Sequence, residues 1–307
     1  MTAISAVGLT KIYGAVKAVD NVSFDVEVGE IFSLLGPNGA GKTTTVEILE
    51  CLRTPTFGDA YIMGLSIRDK SDERKIRKLI GVLPQEFNAV DNLTVLENVK
   101  LAATAKKADA DYRELLEGLG LWDVRNRFFS KLSGGMKRKV GLVMALVGDP
   151  EVVFLDEPTT GLDPEARRET WRYLLELRRK GKTIFLTTHY MEEAERLSDR
   201  VAIMVKGRIA TSGKVSQLIS STRTLKLIFY DADDTLVGEI KTAGHAVTVL
   251  QGKITAVTLS DYGQLIEILK TLTNSGFRGH YEVRAAGLEE VFLTTVGSRL
   301  TEEGELL

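Results

Sequence analysis

The stretch Gly36-Pro37-Asn38-Gly39-Ala40-Gly41-Lys42-Thr43 lies between an apolar run, Ile31–Leu35, and a helical run from Thr44 to Cys51. That order, strand, glycine loop, helix, decides the fold class. The spacing G-x-x-x-x-G-K-[ST] is the phosphate-binding pattern, and it stands in the context that the pattern requires. Glycines let backbone N–H groups turn inward around phosphate oxygens, and the helix N-terminus that follows favours an anion through its dipole. Lys42 then places a compact positive charge at the β- and γ-phosphates, and the Thr43 hydroxyl can ligand Mg²⁺.

Outward from this loop, short apolar runs alternate with longer helical patterns, the signature of a mostly parallel sheet with crossover helices. The expected strands are Ala3–Leu9, Val22–Val26, Ile31–Leu35, Asp59–Ile62, Ile80–Leu83, Val152–Leu155, Thr183–Thr187 and Val201–Val205. Between Leu83 and Val152 the pattern is helical, with Val95–Ala105, Asp111–Leu119 and Ser133–Gly148, which places a helical subdomain at about 86–148. The expectation over residues 1–218 is an α/β domain, its mostly parallel sheet carrying an antiparallel β edge.

Ser216–Ser221 reads as a linker, after which the chain changes character. The order there is strand Leu225–Tyr230, helix Asp234–Ala243, strands Ala246–Leu250 and Ile254–Leu259 across Gln251-Gly252-Lys253, helix Tyr262–Asn274 and strand His280–Arg284. That is the β-α-β-β-α-β order of a ferredoxin-like fold. It predicts a small α+β domain over residues 222–296, closed by a helix Leu288–Thr295. Residues 297–307 read as a tail, frayed and acidic from Thr301 to Leu307.

Three further strand ends carry chemistry. The buried run Val152–Leu155 stops at Asp156 and Glu157, an arrangement in which Asp can hold the Mg²⁺ shell and Glu can orient an attacking water. Thr183–Thr187 runs out into Thr188 and His189, and Ile80–Leu83 into Pro84 and Gln85. In an open α/β sheet ligands sit outside the carboxyl ends of the strands, so Lys42, Gln85, Asp156, Glu157 and His189 are expected around one crevice. Leu132-Ser133-Gly134-Gly135-Met136 opens another helix with a second anion-ready N-terminus. One nucleotide already has its cradle in the first loop, so the second turn suggests that two copies of the chain exchange them.

Composition excludes other classes. The chain of 307 residues carries 40 Lys+Arg against 42 Asp+Glu, a formal net charge of −2, and 44% hydrophobic residues. That length suggests about two domains with sizeable cores rather than a disordered chain. Its near balance of charge argues against a dedicated nucleic-acid binder, and Lys137-Arg138-Lys139 and Arg178-Arg179-Lys180 read as solvated helix faces. Cys51 is the single cysteine, which leaves no intramolecular disulfide and no cysteine-based zinc site, while His189, His245 and His280 are scattered. The longest apolar runs, within Val140–Gly148 and Val152–Leu155, are far below the ~20 residues of a membrane span. Met1-Thr2-Ala3-Ile4 shows no secretory pattern, so a cytoplasmic chain is expected.

With these motifs in order, residues 1 to about 215 resemble the ATP-binding subunits of ABC transporters, whose core is a P-loop NTPase of RecA-like type. The resemblance implies adenine stacking on Tyr13 and an ATP cradle formed by Gly36, Pro37, Asn38, Gly39, Ala40, Gly41, Lys42, Thr43 and Thr44. It implies Mg²⁺ held by Thr43, Gln85 and Asp156, Glu157 as the catalytic glutamate, His189 as the switch histidine, and Asp163 in the loop Gly161-Leu162-Asp163. It also implies a head-to-tail pair in which Ser133, Gly134 and Gly135 of one protomer close over the ATP at Lys42 of the other. Met136 stands where the family most often has Gln.

The run Asn92–Asn98 and the helix Leu288–Phe292 resemble the branch that exports drugs, lipids or polysaccharides. A separate multi-spanning permease is then the expected partner, docking near Gln85 to Asn98 and holding this chain on the cytoplasmic face of the cell membrane. The second ATP-binding subunit is an identical chain or a paralogue. Two other readings stay open at this level: a non-transport ABC-type ATPase, against which the lack of heptads and of a second ATP-binding half argues, and an ATP sensor that does not hydrolyse, against which Asp156, Glu157 and His189 argue. The C-terminal piece reads as a dimer-stabilising or regulatory module, or as a structural extension.

Overall fold

The computed structural model describes residues 1–108, 111–222, 225–230, 234–245, 247–249, 254–259, 261–274, 277–285 and 287–302. β1 (Thr2–Tyr13) and β2 (Val16–Glu27) form a hairpin closed at Gly14, whose φ of 58° suits a residue without Cβ. β3 (Ile31–Leu35) leads through the glycine loop into α1 (Lys42–Leu49). β4 (Phe57–Ile62) and the short β5 (Leu65–Ser66) extend the hairpin into an antiparallel sheet of order β2-β1-β4-β5. After α2 (Lys70–Leu79) and β6 (Ile80–Leu83) come the helices α3 (Val95–Lys106), α4 (Tyr112–Gly118) and α5 (Gly134–Leu146).

β7 (Val152–Asp156), α6 (Pro164–Arg179), β8 (Thr183–Thr188), α7 (Met191–Leu197), β9 (Arg200–Val205) and β10 (Arg208–Lys214) complete a second sheet. Its order is β10-β9-β3-β8-β7-β6, parallel throughout except for the antiparallel edge strand β10. The expected antiparallel edge is present, and the remaining antiparallel strands form a sheet of their own.

β3, β7 and β8 are buried at every position, as a parallel sheet covered on both faces requires. Successive side chains point to opposite faces. Towards the antiparallel sheet, Phe32 and Phe185 meet Phe24 of β2 and Phe154 meets Phe185, with Phe185 5.5 Å from Phe32 and 5.7 Å from both Phe24 and Phe154. Val46, Ile48 and Leu49 of α1 belong to the same core, which fixes the helix that follows the glycine loop. On the other face Ile31, Val153, Leu155, Ile184 and Leu186 pack against apolar residues of α3, α5, α6 and α7.

Four elements, α2, β5, β10 and one further helix, escape the sequence pattern, each for a local reason. α2 has one buried residue, Ile76, so no apolar stripe announces it; it is held by the Asp69 N-cap and the Glu73–Arg77 pair instead. β10 is a solvated edge with no fully buried position, and β5 has two residues. The expected linker Ser216–Ser221 is instead part of α8 (Val215–Thr222). Its Ser/Thr composition suggested a loop, but Ser220 Oγ donates to Ser216 O and Ser221 Oγ to Leu218 O, so the hydroxyls are satisfied inside the helix.

Two compact units result among the described residues, one of Met1–Val215 with 295–302, and one of Ser216–Thr294. The second contains β11 (Leu225–Tyr230), α9 (Asp234–Thr242), β12 (Val247–Val249), β13 (Ile254–Leu259), α10 (Tyr262–Asn274) and β14 (Tyr281–Ala285); α11 (Leu288–Glu302) follows and runs past its end at Thr294. The sheet order β12-β13-β11-β14, antiparallel throughout, is the ferredoxin-like one expected from the sequence. Leu225, Leu227 and Phe229 share one face of β11 and pack with Leu265, Ile268 and Leu272 of α10. The expected strand ends Ala246 and Leu250 and the turn Gln251-Gly252-Lys253 lie outside the described residues. Residues 301–302 are helical, and the rest of the expected acidic tail, 303–307, also lies outside them.

Phe185 is fully buried at the meeting point of four rings. Phe185→Ala is expected to lose about 3–5 kcal/mol of stability in chemical denaturation, with an unchanged slope against denaturant. A loss below about 1 kcal/mol contradicts this view of the core.

Candidate functional site

The glycine loop is shaped by contacts that exclude side chains. A Cβ on Gly36 would lie 2.4 Å from Met204 O, and one on Gly41 would lie 2.2 Å from Ala18 O. Gly41 also has a φ of 102°, which an L side chain rarely adopts, and it caps α1. Pro37, Asn38 and Gly39 are exposed, Thr44 is half-buried, and Gly36 and Ala40 are buried. Lys42 is buried, and its Nζ donates to Gly36 O at 2.8 Å and Pro37 O at 3.0 Å. Burial pulls the ammonium pKa down, while Glu157 and Asp156 pull it up.

Asp156 ends β7, 3% exposed, and accepts a hydrogen bond from Thr187 Oγ1 of β8. Glu157 follows it with a φ of 52°, a left-handed conformation unusual outside glycine. Thr187 fixes it there, since Glu157 N donates to Thr187 O at 3.1 Å and to Thr187 Oγ1 at 3.2 Å. The Glu157 carboxylate meets His189 Nδ1 at 3.1 Å through Oε1 and accepts from Thr160 Oγ1 at 3.0 Å through Oε2. His189 is more exposed and stacks on Tyr190 with ring centres 4.1 Å apart. The structure therefore brings together Lys42, Asp156, Glu157 and His189.

Gln85 joins them from β6. A cleft of about 370 Å³ is lined by Thr43, Glu47, Glu50, Gln85 and Asp156, among others. Thr43, at the start of α1, is exposed. A hydroxyl, an amide and a carboxylate facing one cleft are oxygen donors suited to Mg²⁺. Among the described residues no three His, Cys, Asp or Glu side chains gather closely enough to hold a metal by themselves. This donor set therefore fits an ion that keeps waters and shares its shell with a phosphate. Tyr13, at the end of β1, is 41% exposed, with Lys11 Nζ 5.2 Å and Arg53 Cζ 5.8 Å from its ring centre.

Ser133, Gly135 and Asp163 occupy a different cleft, of about 250 Å³, which Met136 also lines. Ser133 caps α5, accepting from Met136 N at 3.2 Å, and Gly134 and Ser133 are exposed. Asp163 caps α6, and the N–H groups of Ala166 and Glu165 hold its carboxyl below the usual range. Within one chain these residues do not share the cleft of Thr43 and Asp156.

The sequence reading missed Arg138. The run Lys137-Arg138-Lys139 is not a solvated face as expected: Arg138 and Lys139 are both 9% exposed, whereas Arg178-Arg179-Lys180 is exposed. Arg138 Nη1 donates to Pro84 O at 2.6 Å and Gln85 O at 2.8 Å, and Nη2 donates to Asp156 O and, at 3.0 Å, to Glu157 O. One guanidinium thus ties the ends of β6 and β7 to α5. Burial pulls its pKa down and Asp156 and Glu157 oppose that, the group remaining charged. Lys139 is neutralised by Glu169 at 2.7 Å. Glu193 was missed too: it is fully buried and accepts from Thr159 Oγ1 at 2.7 Å and Trp171 Nε1 at 2.9 Å. An Arg two residues after Met136, on a helix otherwise apolar from Val140 to Leu146, was the available signal.

Fold and site together define a P-loop ATPase. A profile of the ABC transporter family matches residues 19–160. The daunorubicin/doxorubicin resistance ATP-binding protein of Streptomyces peucetius is 35% identical over 98% of this chain and 96% of its own length. The Nod factor export ATP-binding protein I of Burkholderia lata is 39% identical over 95% of this chain and 96% of its own. Among solved structures, a dimeric ATP-binding cassette in a post-hydrolysis state with ADP and Pi aligns at a TM-score of 0.64 and 30% identity, over 69% of this chain and 98% of that one. The chain belongs to the ABC transporter family, as an ATP-binding subunit that hydrolyses ATP.

Glu50, in the first cleft, is 4% exposed, and burial pushes its carboxyl up to about 8, with Asp156 and Glu47 adding to the push. The folded chain then keeps a proton that the unfolded chain releases near the ordinary value of 4.5, so stability falls as pH rises from there towards 8. Glu50→Gln is expected to flatten that slope in melting curves of the metal-free protein between about pH 5 and pH 8. Equal slopes in the two proteins would contradict it.

Proposed function

We propose that this chain is the ATPase of an exporter, pairing head to tail with a second ATP-binding subunit and driving a separate multi-spanning permease. The observation that carries the reading is the Glu157 carboxylate, held between His189 Nδ1 and Thr160 Oγ1 at the end of β7. A carboxylate so placed can take a proton from a water and aim it at a γ-phosphate cradled by the neighbouring loop. Lys42, beside the loop, offsets charge on the phosphate oxygens, and Gly36–Thr44 binds them through backbone N–H groups. Tyr13 offers a partly exposed ring to the adenine.

Mg²⁺, held by Thr43, Gln85 and Asp156, would neutralise the β- and γ-phosphate oxygens. Gln85 then reports the state of the cleft to the segment that follows it, up to Asn98, where the permease docks. Arg138 joins in this by holding the carbonyls of Gln85, Asp156 and Glu157 at once. Movement of the Gln85 segment is thereby shared with the strand that bears Glu157.

The separate cleft of Ser133, Gly135 and Asp163 supports the head-to-tail pairing. An exposed helix N-terminus with two glycines favours an anion that its own chain does not deliver. ATP bound between Lys42 of one protomer and Ser133–Gly135 of the other selects the closed pair, and hydrolysis releases it. Relatives named for daunorubicin/doxorubicin resistance and Nod factor export support export as the direction. No helix among the described residues is long and apolar enough to cross a membrane, in keeping with a separate permease. The location proposed is peripheral, on the cytoplasmic face, with no role in binding nucleic acid. Recovery of a stoichiometric multi-spanning protein with this chain from native membranes, identified by mass spectrometry, tests the export reading.

Glu157→Gln is expected to retain ATP binding and accumulate an ATP-bound dimer in sedimentation, while phosphate release falls at least about 100-fold. Turnover equal to wild type would sink the role of Glu157. Lys42→Ala is expected to weaken ATP binding about 10-fold or more by calorimetry. An unchanged affinity would mean that the glycine loop is not the phosphate site.

A further inference from the structure

The stripe Thr43, Glu47 and Glu50 recurs at i, i+4 and i+7 along α1, so all three face the cleft that Gln85 and Asp156 close from the strand side. Thr43 and Asp156 have roles in the nucleotide reading, whereas Glu50 has none. Its Oε1 is fully buried and has no hydrogen-bond partner. Burial and two neighbouring carboxylates, Asp156 and Glu47, disfavour its charged form. A buried carboxyl beside other carboxylates lacks one thing, a cation.

We infer that Glu50 is a positioning residue for the divalent cation and would accept a hydrogen bond from a metal-bound water. No three acidic side chains among the described residues can chelate a metal directly, which makes a water-mediated contact the fitting mode. Mg²⁺ dehydrates reluctantly and keeps several waters, and partners of those waters set affinity and orientation. The inference rests on the nucleotide reading of the same cleft.

The test uses the full chain loaded with a non-hydrolysable ATP analogue, with Mn²⁺ as the probe and free Mn²⁺ counted by electron paramagnetic resonance. Glu50→Gln is expected to loosen Mn²⁺ about 10-fold, while analogue affinity in chelator stays within about twofold of wild type. Glu50→Asp, which keeps the charge on a shorter arm, is expected to fall between them, and it decides by the same reading if Glu50→Gln does not fold. Mn²⁺ affinity within twofold of wild type overturns the inference. So does an equal loss of analogue affinity in chelator, the mark of a structural role. Asp156→Asn separates the two levels. If it loses Mn²⁺ and the Glu50 variants do not, only the inference falls; if neither loses Mn²⁺, the metal assignment of the cleft falls with it.

Discussion

A parallel sheet buried on both faces leaves its polar groups one outlet, the carboxyl ends of the strands. β3, β7 and β8 are buried through their whole length and end side by side, at the glycine loop, at Asp156-Glu157 and at Thr188-His189. The register between β7 and β8 sets Asp156 opposite Thr187, which is why one threonine can bond both Asp156 and the Glu157 backbone. The aromatic layer of Phe24, Phe32, Phe154 and Phe185 keeps that register from slipping. Site geometry is therefore a property of the core as much as of the loops.

Arg138 extends the same constraint from the sheet to the helices. Four carbonyl oxygens at the ends of β6 and β7, those of Pro84, Gln85, Asp156 and Glu157, accept from a single planar guanidinium. A lysine offers one point charge and does not span that set. The helix that begins at Ser133 is thus tied to the strand that ends at Glu157, within one rigid group of bonds.

Most of this architecture was legible in the chain. The strand ends were readable because short apolar or β-branched runs stop abruptly at Leu35, Leu83, Leu155 and Thr187, and the ferredoxin-like order because short strand runs such as Leu225–Tyr230 and Ile254–Leu259 succeed helical ones in the right sequence. What escaped was structure held by polar contacts. α2 depends on caps and ion pairs, α8 on serine hydroxyls bonded to its own backbone, and β10 on pairing alone. Arg138 and Glu50 look like surface residues by type, and their burial depends on the tertiary packing of α5 and α1. Periodicity carries no trace of a charge turned inward.

In the proposed role of Glu157, its left-handed backbone sets protein stability and turnover against each other at a single position. Holding a residue with a Cβ at a φ of 52° costs about 1 kcal/mol relative to glycine. Selection for thermal robustness alone would therefore favour glycine here and discard the carboxylate that the proposed mechanism uses. The same preference gives an engineer a warning: on that mechanism, sorting a library by melting temperature alone works against activity at this position.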